Sequence, residues 1–69
     1  MWTLDYTVRF GSVFEEHQVT GDEKSIRWMF DLLYDIETVR RIELRKPSGH
    51  GMRLCRLPMT TLWEPVVVF

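Results

Sequence analysis

The alternation over residues 2–10 constrains this chain more than any other feature. Trp2, Leu4, Tyr6, Val8 and Phe10 fall on one side, and Thr3, Asp5, Thr7 and Arg9 on the other. Period-two alternation of aromatic and β-branched residues predicts a half-buried strand. Gly11-Ser12 follows, a two-residue loop in which glycine supplies the positive φ of a type II′ turn. A loop of that length fixes the pairing: Phe10 opposite Val13, Val8 opposite Glu15, Tyr6 opposite His17, Leu4 opposite Val19. The second strand is expected over about 13–19, with Val13 and Val19 toward the core. Its other face, Phe14, Glu16 and Gln18, then lies beside Arg9, Thr7 and Asp5; a bulge would reverse that assignment.

The hydrophobic period changes after this hairpin. Thr20 and Glu23 have capping-box spacing, and Asp22 is an equally good N-cap, so a helix is expected over about 22–36. Ile26, Met29, Phe30 and Leu33 follow i, i+3, i+4, i+7 and define its core face, with Tyr34 at the edge. Lys24, Arg27, Asp31 and Asp35 define its wet face. Trp28 and Leu32 depart from the pattern. They lie about 200° and 240° around the helix from Ile26, next to the wet stripe, and one turn from each other. The apolar arc is too wide for one sheet to cover.

Residues 38–46 read as a third strand, with Ile42 and Leu44 inward and Arg41, Glu43 and Arg45 outward. Pro47-Ser48-Gly49-His50-Gly51 is a loop by composition. Residues 52–57 form a fourth strand. If it pairs simply across the loop, Leu54 faces Leu44 in the core and Arg53 faces Arg45 on the open side. Pro58 ends that strand. The tail, 58–69, carries Leu62, Trp63 and a final Val66-Val67-Val68-Phe69 of high β propensity. The layout is ββαββ: an α+β domain with one helix on one face of a mainly antiparallel four-stranded sheet, plus an apolar tail.

With 69 residues, residues 1–69 make one domain. A chain this short buries only about 60% of its unfolded surface. A deep enclosed site for a small-molecule substrate is therefore not expected. The single cysteine, Cys55, permits no internal disulfide, which fits a reducing cytoplasm. Met1-Trp2-Thr3-Leu4-Asp5 lacks the features of a signal peptide, and no apolar run is long enough for a membrane span.

No complete catalytic or metal motif is present. His17 shares a face with Glu15 but not with Glu16, leaving too few ligands for a closed zinc site. His50 with Ser48 lies in a glycine-flanked loop that matches no phosphate-binding signature. Cys55 has no base beside it in sequence. These residues give no reason to expect an enzyme, a cofactor or a metal.

Two surfaces remain. The first is apolar: Trp28 and Leu32 on the helix, Trp63 and Phe69 in the tail. Either the tail folds back over Trp28 and Leu32, or part of this surface meets another chain, which includes a second copy in a homodimer. The terminal valines are also suited to adding a strand to a sheet edge. The second surface is basic: Arg9, Arg41, Arg45 and Arg53 on the open sheet face. Charge is unevenly placed, with eight acids and three bases in residues 1–38 and six bases and two acids in 39–69. Such a face suits acidic protein or phosphate, although the stacking aromatics of an RNA-reading sheet are missing. The expectation is a non-enzymatic protein-binding module; the alternative is a small nucleic-acid-binding protein using the arginine face. In size, charge polarity and single-helix design the chain resembles small phage-encoded proteins that bind and block a host protein, a likeness of kind that rests on no motif.

Overall fold

The computed structural model describes residues 1–69. Its elements run β1 (Trp2–Phe10), β2 (Val13–Gly21), α1 (Glu23–Tyr34), β3 (Val39–Arg45), β4 (Gly51–Cys55) and β5 (Val67–Val68). They build an antiparallel sheet of order β2-β1-β3-β4-β5, with α1 on one face. The sheet thus has five strands where four were expected. The tail supplies the fifth, pairing Val67 and Val68 with Arg53 and Met52.

The first hairpin has the register that its loop dictates, from Phe10 opposite Val13 to Leu4 opposite Val19. Gly11 holds φ at +62°, and Ser12 is not among the residues with positive φ, as a type II′ turn requires. The second strand runs two residues further than expected, to Gly21, whose partner is Trp2. A register shift between Thr7 and Val8 then lets β1 pair with Val39 at the far end of β3. Val13 points to the helix side but is exposed there, because nothing lies above the tip of the hairpin.

Asp22 caps α1: its carboxylate accepts from the Ser25 N–H at 2.8 Å. That bond holds the Asp22 carboxyl below its ordinary pKa. The helix ends sooner than its apolar periodicity suggested, with Asp35 as C-cap. Ile26 and Leu33 are its buried residues. They meet Leu4, Val8, Val39, Ile42 and Leu44 in one core, with Trp2, Tyr6, Val19, Met29, Phe30, Met52 and Trp63 around it.

The β3–β4 register differs from expectation by two residues. Leu44 faces Met52, Ile42 faces Leu54, and Arg53 faces Glu43, while Arg45 faces Gly51. The loop is shorter than composition implied. His50 O accepts from Lys46 N–H at 2.8 Å, and Lys46 O accepts from Gly49 N–H at 2.9 Å. Only Pro47, Ser48 and Gly49 turn the chain, with Gly49 at φ +93°. Three-residue hairpin loops place glycine in that left-handed position. Gly51 belongs to the strand, where a Cβ would stand 2.0 Å from Leu44 O, so no other residue fits.

Candidate functional site

The open face of the sheet brings the basic residues together, but not as a free positive patch. Arg41, Glu43 and Arg45 alternate along β3, and Arg53 lies across from Glu43 on β4. The Glu43 carboxylate stands 3.6 Å from Arg41, 3.3 Å from Arg45 and 3.8 Å from Arg53. Glu43 is only 9% exposed. Three guanidinium groups surround it, which offsets the burial of a carboxylate. The fourth arginine, Arg9, lies on the neighbouring strand β1, toward the tip of the first hairpin and outside this cluster. Its Nε donates to Gly11 O at 2.6 Å, and its guanidinium sits 5.8 Å from the Phe14 ring centre. Asp5 and Glu16 share this face with Glu43. Four positive charges therefore meet three negative ones. Arg45 also lies 5.2 Å from the ring centre of Phe69.

Sequence reasoning missed the most deeply held arginine. Arg56 is 8% exposed. Its Nε donates to Val39 O at 2.8 Å, and its Nη2 to Tyr34 O at 3.0 Å and Ile36 O at 3.1 Å. Nη1 donates to Thr61 O. The guanidinium carbon lies 3.9 Å from the centre of the Trp63 ring, which stacks on Tyr34 at 5.2 Å. Desolvation, and to a lesser degree Arg40, lowers the pKa of Arg56. A planar fork with five donors suits four carbonyls from three segments. Arg56 thereby ties the end of α1, the start of β3 and the tail loop. No spacing signal could have singled it out, since its partners are backbone carbonyls.

The four apolar candidates do not form one surface. Trp63 is half-buried against Tyr34 and Arg56, and Phe69 lies by Arg45 at the β5 edge. The tail does not fold back over Trp28 and Leu32, because its last residues hydrogen-bond to β4, with Gly51 and Phe69 exchanging both backbone bonds. Trp28 is left 67% exposed and Leu32 49% exposed. Trp28 also borders a cleft of about 430 Å³ between α1 and the end of β2, lined by Val19, Thr20, Ile26 and Met29 among others.

The remaining polar candidates stand apart. His17 stacks on Tyr6 at 5.2 Å, with Nε2 3.3 Å from Glu15. His50 is exposed in its turn, and Cys55 is a half-buried free thiol on β4. No three His, Cys, Asp or Glu residues gather as metal ligands. No helix is long and apolar enough to cross a membrane. No family model, curated protein or solved structure matches the chain.

Proposed function

We propose that the chain is a non-enzymatic protein-binding module that works by occupying a partner's surface, in the manner of a small phage-type inhibitor. Trp28 and Leu32 are its anchors, and a reducing cytoplasm, consistent with the lone Cys55, is its setting. The observation that carries this reading is the exposure of Trp28 and Leu32, adjacent on α1, with the tail paired to β4 instead of folded over them. Tryptophan is over-represented among residues that dominate binding energy. Contiguous apolar surface bordered by charge, here Lys24, Asp31 and Asp35, marks contact sites.

The nucleic-acid alternative has less support. Three of its four arginines share the Glu43 carboxylate, so phosphate would have to compete with an ion pair already made. Phe14 is the one aromatic of β1 and β2 on that face, whereas RNA-reading sheets stack bases on two or three.

Capture of partners from native-host extract onto immobilised wild type tests the reading. Folded Trp28→Ser/Leu32→Ser protein should retain roughly a tenth or less of the captured protein, an anchor-sized loss. Arg45→Gln/Arg53→Gln should retain most of it. The opposite pattern, or steeply salt-dependent binding to generic DNA or RNA, moves the site to the arginine face and refutes the proposal.

A further inference from the structure

The two ends of the outward face of α1 carry opposite charge, Lys24 at one and Asp35 at the other. We infer that a second copy of this chain packs on this face, α1 against α1 in antiparallel orientation about a two-fold axis. The inference rests on the reading of Trp28 and Leu32 as contact residues and names a partner for them.

Lys24, Trp28, Asp31 and Asp35 are spaced 4, 3 and 4 apart, which places them on one stripe of the helix with Leu32 at its flank. All five are exposed. The stripe is basic at its N-terminal end (Lys24) and acidic at its C-terminal end (Asp35), with Trp28, Leu32 and the carboxylate of Asp31 between them. An antiparallel copy, centred between Trp28 and Leu32, sets Trp28 on the copy's Leu32 and Leu32 on the copy's Trp28. The same operation sets Lys24 beside the copy's Asp35 at both ends, as a two-fold contact requires. A parallel copy would instead place Lys24 against Lys24 and Asp35 against Asp35; Asp31 comes near the copy's Asp31 in either orientation, so the charges at the two ends select the antiparallel one.

The tail cannot compete, because it is hydrogen-bonded to β4. The helix has 12 residues, about 18 Å of length. A contact of that span falls below the roughly 1,200 Å² of a stable interface. Association is therefore weak and concentration-dependent.

Sedimentation equilibrium of the full chain from roughly 10 μM to 1 mM, a window that brackets weak affinities, tests this. Wild type should pass from monomer to dimer within that range, and Trp28→Ser should stay monomeric. Lys24→Glu and Asp35→Lys each place like charges at both ends of the contact, and each should weaken association about tenfold or more. Both changes agree with the helix dipole, so the helix should survive, which circular dichroism checks. An equimolar mixture of the two variants should recover wild-type association, because the swapped charges complement each other only in the heterodimer. A wild type that remains monomeric throughout, or a mixture no tighter than the single variants, overturns the inference. The contact-surface reading falls separately, if Trp28→Ser/Leu32→Ser captures other proteins as well as wild type does.

Discussion

Replacing Arg56 with methionine should cost more stability than any other arginine substitution in this protein. Methionine keeps most of the apolar stem but none of the donors. Four carbonyls lose a charged partner: Val39, Tyr34, Ile36 and Thr61. A hydrogen bond to a charged group contributes about 1.5–3 kcal/mol, and leaving a buried acceptor unpaired costs about 1–3 kcal/mol. The terms are not additive, and water reaches some of these carbonyls once the fork is gone. Loss of the stacking on Trp63 adds about 1 kcal/mol. We expect a total of about 3–5 kcal/mol. A domain of 69 residues has roughly 3–10 kcal/mol in all, so Arg56→Met should be largely unfolded or close to it. Arg40→Met is the control. Arg40 also donates to two carbonyls, of Thr60 at 2.7 Å and Leu57 at 2.9 Å, but at the exposed surface, and should cost about 1 kcal/mol. Urea unfolding followed by tryptophan fluorescence reads both. If Arg56→Met loses no more than Arg40→Met, the carbonyl network does not hold the tail, and the argument is wrong.

Three other outcomes follow from the structure. Asp22→Ala should destabilise the protein near neutral pH and hardly at all near pH 2: the Ser25 bond depresses the Asp22 pKa, so its stabilisation is present above the ordinary carboxylate range and is lost as pH falls through the folded value; thermal melts across that range decide it. Met59 has φ +60° and is 95% exposed, so Met59→Gly should raise stability by about 0.5–1 kcal/mol by relieving a left-handed backbone without losing packing; an unchanged or lower denaturation midpoint would contradict this. Glu43→Gln removes the shared counter-charge of Arg41, Arg45 and Arg53; it should lower stability by about 1 kcal/mol, discounted because the arginines are partly solvated, and should increase salt-sensitive binding to generic DNA.

The first hairpin was legible almost residue by residue, because a two-residue loop leaves one register and its side chains alternate without interruption. The helix was legible at its start, where Asp22 caps it, and less so at its end, where Tyr34 and Ile36 carbonyls are taken by an arginine 20 or more residues away. The second hairpin was misread because Gly51 looks like loop by composition. Only its close approach to Leu44 O shows that it is a strand residue. That two-residue slip matters for function: it exchanges an Arg45–Arg53 repulsion for a Glu43 centre. The tail was ambiguous in principle. Its valines fit an edge strand of any chain, and nothing local says that β4 of the same chain is that edge. Trp28 and Leu32 were legible as outliers on the helix wheel, and the structure leaves them uncovered.

Photo-crosslinking in native cells tests the central claim most directly. Trp28→p-benzoylphenylalanine keeps an aromatic side chain at the proposed anchor, and Arg53→p-benzoylphenylalanine samples the arginine face. The account predicts protein adducts from position 28, to a second copy or to another protein, and few from position 53. Adducts to protein or nucleic acid from position 53, with none from position 28, would contradict it.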